Sequence, residues 1–310
     1  MTQLTSPDGT PASRLTFGAM QFGGTADAAA SRAMFDACRN AGISHFDTAY
    51  LYTDGQSETL LADMIKPDRD SLLIATKVAY AGGASRINIL EQFDVSRKRL
   101  QLDMVDLLYI HRFDPDTPLE ETVDTLAHLQ AQGAIRYIGV SNFAAWQVMK
   151  AQAIAARFET RIDVIQPMYN LVKRQAEVEI IPMCVDQDID VVPYSPLGGG
   201  LLTGKYAAGG TGRLSTDDRY AKRYGQHWMH QTAADLAELA ADMNVSPATL
   251  AVAWAAAHPA RPRPIISARS VDQLQPSLAA EGFDMDAALY DRITALSHTP
   301  PPATDRLDDR

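Results

Sequence analysis

Four side chains that can hold or move protons fall at or near the ends of short apolar runs. Asp47 ends the run Ser44-His45-Phe46-Asp47, and Tyr52 follows five residues later. Lys77 ends Leu72-Leu73-Ile74-Ala75-Thr76-Lys77, and His111 ends the run that starts at Val105. A tyrosine phenol titrates near pH ~10, too high for efficient proton transfer at neutral pH. A neighbouring ammonium stabilises the phenolate and lowers that value, and a carboxylate keeps the ammonium charged and oriented. On this reading Lys77 tunes Tyr52, Asp47 holds Lys77, and His111 adds a hydrogen bond near a substrate oxygen. Tyr52 then becomes a general acid for a carbonyl oxygen that gains negative charge as hydride arrives. Singly, each residue has an ordinary explanation as a solvated loop residue or a structural histidine. The weight rests on four compatible types at three consecutive run ends.

Such groups need elements that bring them together. Further β-type runs are Leu15–Met20, Ile135–Val140, Asp163–Gln166, Ile189–Tyr194 and Arg263–Ile266. Amphipathic stretches alternate with the runs, among them 28–40, 57–65 and 87–100. Gly42 reads as the C′ glycine of the first helix. Thr117 reads as an N-cap, with Pro118 at the first helical position and Glu120 in the first turn. Nearly continuous apolar strands followed by helices predict a parallel sheet covered on its outer face. Eight such units at this length favour a single-domain (β/α)8 TIM barrel, with reactive groups where strands end and βα loops begin. The barrel is assigned to residues 1–297, and a Pro-rich, acidic tail at 298–310 is expected to be flexible. The segment Leu197–His227 reads as one long irregular connection, a length that usually signals function.

Composition removes whole classes. Of 310 residues 46% are apolar and 21% charged, which permits a large core and excludes wholesale disorder. Lys plus Arg number 28 against 38 Asp plus Glu, a net charge of −10 that speaks against a nucleic-acid binder. The chain has no apolar run long enough to span a membrane and no leader-like N-terminus, so the expectation is a soluble cytoplasmic protein without a membrane partner. Cys38 and Cys184 lie in apolar segments without CxxC spacing and read as buried thiols. The histidines form no HxH or HExxH, so no metal site is expected. The first strand is not followed by GxGxxG, so a Rossmann site is not indicated.

The motifs in order are Phe46-Asp47-Thr48-Ala49-Tyr50-Leu51-Tyr52, Ile74-Ala75-Thr76-Lys77, Leu108-Tyr109-Ile110-His111, Gly139-Val140-Ser141-Asn142-Phe143 and Gln166-Pro167-Met168-Tyr169-Asn170. The last is Tyr194-Ser195-Pro196-Leu197-Gly198-Gly199-Gly200-Leu201-Leu202-Thr203-Gly204-Lys205-Tyr206. Over residues 10–297 the sequence resembles the aldo-keto reductases, in the branch with bacterial reductases and potassium-channel β subunits. The resemblance implies a nicotinamide-dependent oxidoreductase with Asp47, Tyr52, Lys77 and His111 as catalytic tetrad. It implies that Ser141, Asn142 and Gln166 hold the nicotinamide carboxamide, that Tyr194 stacks on its ring, and that Met20 and Gln21 approach it. Ser195, Leu197, Gly199 and Lys205 match residues that clasp the pyrophosphate, and Arg213 is placed over the adenosine end. Arg269, Ser270 and Gln273 match the region that meets the 2′-phosphate and adenine, which implies NADPH (NADP+). Ser267 stands where glycine is common, and Pro276 and Ser277 replace the usual Glu-Asn pair.

Substrate-pocket candidates are Phe22, Tyr50, Tyr80, Arg112 and Phe113, with His227 and Trp228 further off. The partner is a small-molecule carbonyl. Two substrate readings stay open, a sugar-type aldehyde and unselective reduction of small aldehydes. The alternative function is a cofactor-sensing regulatory subunit with little turnover. The complete tetrad and the lack of an N-terminal extension point to the enzyme. The sequence is compatible with a homo-oligomer.

Overall fold

The strand–helix alternation closes into a barrel in a computed structural model that describes residues 4–206 and 209–304. The strands are β1 (Thr16–Gly18), β2 (His45–Asp47), β3 (Leu73–Val78), β4 (Val105–Ile110), β5 (Ile135–Ser141), β6 (Val164–Gln166), β7 (Asp190–Val191) and β8 (Ile265–Ile266). Consecutive strands pair in parallel from β1 to β7, and β8 pairs with β1. The ring is completed by the Arg263 N–H donating to Val191 O at 2.8 Å and the Ile265 N–H to Pro193 O at 2.8 Å. This is a (β/α)8 barrel in a single domain.

Apart from Arg136 and Tyr137 of β5, every strand residue is buried, which is why the runs read as nearly continuously apolar. The two-residue alternation nevertheless sorts the side chains. Phe46, Ile74, Leu108, Ile138 and Ile165 pack outward against the helices, with Met34, Leu61, Phe93, Leu126 and Val148. Leu73, Ala75, Leu107, Tyr109 and Val164 fill the barrel interior. Tyr109 stands opposite Gly139 in the β4–β5 register, and a Cβ on that glycine would run into the Tyr109 ring.

The outer helices are α1 (Ala28–Asn40), α2 (Gln56–Ile65), α3 (Arg86–Leu100), α4 (Leu119–Ala131), α5 (Ala145–Ala155) and α6 (Ile180–Asp186). Asp27 caps α1 by accepting from Ala30 N–H, and Gly42 leaves it at φ +84°, as expected. The α4 start is a correction. Pro118, not Thr117, is the capping position, because the Thr117 hydroxyl donates to Asp114 at 2.6 Å instead.

The segment after Leu197 is also more structured than expected. It contains a 3-10 stretch, Gly198–Thr203, then α7 (Arg213–Thr216) and α8 (Asp218–Arg223). Ala207 and Ala208 lie outside the described residues. The remaining helices are α9 (His227–Asp242), α10 (Pro247–Ala257), α11 (Val271–Leu278) and α12 (Ala287–Thr294). Of the expected flexible tail, residues 305–310 lie outside the described residues, whereas the His298 ring stacks on Trp228 at 4.4 Å. Cys38 and Cys184 are buried free thiols. Among the described residues no helix is long and apolar enough to cross a membrane, and no cluster of metal-ligating side chains occurs.

Candidate active site

The alternation that fills the barrel also places its reactive ends. Lys77 shares the inward face of β3 with Leu73 and Ala75, and His111 follows Leu107 and Tyr109 on that of β4. Asp47 stands two residues after the inward His45. All three are buried. The Lys77 ammonium donates to Asp47 Oδ1, to Thr48 O at 2.8 Å and to Tyr52 Oη at 3.4 Å. It also lies 4.9 Å from the Tyr52 ring centre. The imidazole of His111 meets the Tyr52 ring edge-on at 5.7 Å. The four residues expected to act together are therefore in one place.

Burial and charge oppose each other here. Burial pulls the Lys77 ammonium down, but Asp47 and then Tyr52 outweigh it and hold its pKa above the ordinary value. Burial raises the Asp47 carboxyl, while Lys77 and Gln166 pull it back. For Tyr52 the net direction differs from the sequence-based expectation. Lys77 does lower the phenol, but burial outweighs it and the pKa is raised. The phenol is thus firmly protonated at neutral pH, and Lys77 limits the cost of giving up the proton. Burial first, then Lys77 and Arg112, push His111 down to about 3, so its imidazole is neutral; its Nδ1 has no hydrogen-bond partner among the described residues.

A second group adjoins the first. Gln166 Nε2 donates to Asp47 Oδ2 at 2.9 Å, and Ser141 Oγ donates to Gln166 O at 3.1 Å. Asn142, at φ +59°, donates through Nδ2 to His111 O at 3.0 Å and to Ser141 Oγ at 3.1 Å. The Tyr194 hydroxyl donates to Asn142 Oδ1 at 2.7 Å. Ser141, Asn142, Gln166 and Tyr194 thus form one hydrogen-bonded rim linked to Asp47. Met20 is exposed and Gln21 buried just after β1, where Gln21 accepts from Thr25 Oγ1 at 2.5 Å.

The loop after Tyr194 offers backbone and a cation. Ser195, Gly198, Gly199 and Gly200 all have positive φ, and Leu197 precedes the glycines. Near these glycines the backbone is unobstructed by Cβ atoms, the kind of surface that suits an anion. Gly200 and Gly212 leave room for the Lys205 ammonium, and a Cβ on Gly212 would collide with it. Lys205 makes no ion pair among the described residues, although it lies 4.9 Å from the Tyr206 ring. An uncommitted cation beside this left-handed glycine backbone suits a pyrophosphate, with the Tyr220 ring seated on Gly199. Arg213 lies over the Tyr220 ring at 5.4 Å and donates to its hydroxyl at 3.2 Å.

At the α11 end, Ser270 is the N-cap and accepts from Gln273 N–H at 3.4 Å, while Gln273 Oε1 accepts from Arg269 N–H at 3.4 Å. The exposed Arg269 guanidinium makes no ion pair among the described residues. Pro276 lies inside α11 and Ser277 is buried.

The pocket candidates divide. Tyr80 is exposed and stands edge-on to His111 at 5.0 Å, with the Arg112 guanidinium 4.7 Å from its ring centre. Phe113 meets Phe143 at 5.3 Å and Trp146 at 6.0 Å. Phe22 is a correction: it is fully buried, 5.5 Å from Phe17, so it belongs to the core instead of a substrate wall. Tyr50 is half-buried, like Phe113, and its ring packs against the same cluster under Arg99, at 4.8 Å. His227 begins α9, and Trp228 is taken up by its stack with His298.

Sequence reasoning missed two features. Tyr220 of α8 seats its ring on Gly199, where a Cβ would come within 2.6 Å, and it contributes to raising Tyr52. Its only sequence signal was an aromatic within a glycine- and arginine-rich connection. The half-buried Arg99 and the fully buried Glu58 form an ion pair behind the Tyr52 turn. They belong to different helices, and no local pattern joins them.

Several known proteins are similar to this chain in sequence. A probable voltage-gated potassium channel subunit beta of Oryza sativa subsp. japonica is 31% identical over 315 residues, covering 94% of this chain and 95% of the relative. The uncharacterized oxidoreductase YrpG of Bacillus subtilis (strain 168) is 33% identical over 295 residues, covering 88% and 89%. Aflatoxin B1 aldehyde reductase member 2 of Rattus norvegicus is 36% identical over 195 residues, covering 61% and 53%. Residues 14–298 match the model of the Aldo/keto reductase family, so the chain belongs to that family of oxidoreductases.

Proposed function

We propose that this chain is an NADPH-dependent reductase that converts an aldehyde or ketone to the alcohol, with Tyr52 as general acid. The observation that carries the reading is the buried contact of Lys77 with both Asp47 and the Tyr52 hydroxyl, with His111 edge-on to the same ring. When bound, the reduced nicotinamide supplies the hydride. Tyr52 Oη gives its proton to the carbonyl oxygen as charge develops there, and Lys77 stabilises the phenolate left behind. Asp47 keeps Lys77 charged and aimed, since the pair is closed off from water. His111 is neutral at physiological pH and orients the oxygen by hydrogen bonding rather than by charge.

Ser141, Asn142 and Gln166 hold the carboxamide in this reading, and Tyr194 covers the ring. Met20 and Gln21 border it. Ser195, Leu197, Gly199 and Lys205 receive the pyrophosphate, Arg213 the adenosine end, and Arg269, Ser270 and Gln273 the 2′-phosphate and adenine. The exposed Tyr80 and Arg112 and the half-buried Phe113 line the substrate approach, a mixed aromatic and cationic surface that suits small carbonyl compounds with a polar end, including sugar-type aldehydes. Two buried unpaired thiols suit a reducing compartment, and we place the protein in the cytoplasm.

The rice relative's name favours a second reading, a cofactor-sensing subunit with little turnover. One assay separates the two: steady-state NADPH oxidation with sugar-type, small aliphatic and aromatic aldehydes, alongside NADPH binding. Turnover with any of them supports the reductase. Binding without turnover across the whole panel supports the sensor.

A further inference from the structure

The turn that carries Tyr52 has a support that the proton-transfer scheme does not use. Thr53, Asp54 and Gly55 follow at φ +49°, +53° and +89°, three successive residues in the left-handed region that side chains rarely adopt. On one side the turn is tied to the β1 loop. The Thr53 hydroxyl donates to Phe22 O at 2.7 Å, and Ser57 Oγ donates to Ala19 O at 2.8 Å.

On the other side stands Arg99 from α3. It donates to Tyr50 O at 2.7 Å and to Glu58 Oε2 at 3.2 Å. Glu58 is fully buried, and its other oxygen accepts from Thr76 Oγ1 at 2.6 Å. Thr76 precedes Lys77, and the Tyr50 N–H donates to Lys77 O at 3.0 Å. One ion pair therefore grips the peptide two residues before the phenol and the residue before the ammonium. Gly55 is part of the device, because a Cβ there would run into the Arg99 guanidinium.

The Arg99 side chain stays 26% exposed while Glu58 is wholly buried, and an ion pair with one partner out of water seldom adds net stability over apolar packing. What Arg99 adds is direction: its Nη1 alone donates to the carbonyl and the carboxylate, held there by a planar guanidinium where a lysine ammonium would sit on a shorter, flexible stem. We infer that Glu58 and Arg99 are positioning residues, an ion pair with its carboxylate fully buried that fixes the Tyr52 turn relative to Lys77 and thereby sets the proton-transfer step without touching the cofactor.

The inference rests on the proposed reduction, so the experiment includes Tyr52→Phe. Arg99→Lys and Glu58→Gln are compared with wild type for thermal melting, NADPH affinity, kcat for aldehyde reduction and the pH profile of alcohol oxidation. The expected result is a kcat loss of about 10–100-fold, the scale of an ångström-level misplacement, with NADPH affinity unchanged. The alkaline onset of alcohol oxidation, which reports phenolate, should move to higher pH as Tyr52 drifts from Lys77. A merely structural pair would lower the melting temperature and leave that onset in place. Normal kcat and onset in either folded variant overturns the inference, as does a rate loss matched by an equal loss of NADPH affinity. If Arg99→Lys does not fold, the isosteric Glu58→Gln carries the test alone. If Tyr52→Phe keeps full turnover, the proposed reduction is at fault; if it is inactive while both variants are normal, only the positioning role falls.

Discussion

Replacing Tyr52 by phenylalanine removes one oxygen and little else. The lost contact is a long one, 3.4 Å from Lys77 Nζ. Lys77 keeps Asp47 and the Thr48 carbonyl, so no buried charge is orphaned. The ring keeps its place under the ammonium at 4.9 Å and against His111 at 5.7 Å. Loss of one hydrogen bond then costs about 0.5–1.5 kcal/mol of stability at most. Loss of the general acid costs about 10²–10⁴ in rate. That is roughly 3–5.5 kcal/mol of barrier, at least about twice the largest stability change, so unfolding cannot account for it. Single-turnover absorbance of reduced nicotinamide with a saturating aldehyde should show the loss, while fluorescence titration gives an unchanged NADPH affinity. A rate within about threefold of wild type would show that Tyr52 is not the acid, since that is below the smallest general-acid effect. A parallel loss of NADPH affinity would show that the phenol acts in binding.

Three further outcomes follow from particular side chains. Arg269→Ala removes an exposed guanidinium with no ion pair among the described residues, and should weaken NADPH by about one to two decades while sparing NADH; equal losses for both cofactors would mean that Arg269 does not read the 2′-phosphate. Gly139→Ala drives a methyl group into the Tyr109 ring inside the barrel, and should cost about 1–3 kcal/mol by overpacking, read as a lower urea midpoint; an unchanged midpoint would refute the clash. Burial holds His45 and His111 near 3, below their unfolded value near 6.5, so stability should fall as pH drops from ~6.5 toward 3, by up to ~1.4 kcal/mol per pH unit for each. Asp163, pushed up to about 6 by burial, opposes this from pH ~6 to ~3.8, where the folded state takes the proton first. His45→Gln should flatten the acid slope of the urea midpoint, and an identical slope would reject the assignment.

The sequence alone determined the elements and the parity of their residues. Asp27 and Gly42 bracket α1 because a side-chain acceptor and a left-handed residue act within one turn, a range that local order encodes. Strand alternation acts over two residues, so Lys77 and His111 could be read as the ends of inward faces once a barrel was inferred. Tertiary structure decided whatever depends on contacts between distant segments. Thr117 has the right type for a cap, but Asp114 takes its hydroxyl, so the helix starts one residue later. Phe22 sits in the expected loop, yet packing turns it into the core. The direction of the Tyr52 pKa could not be read beforehand, because desolvation is set by everything that surrounds the phenol, and here it exceeds the pull of Lys77. The Arg99–Glu58 pair joins residues 41 apart on separate helices, and Tyr220 reaches Gly199 only because α8 folds back over the glycine loop. Periodicity records which way a side chain points from its own element; only the packing of the elements decides what it meets there.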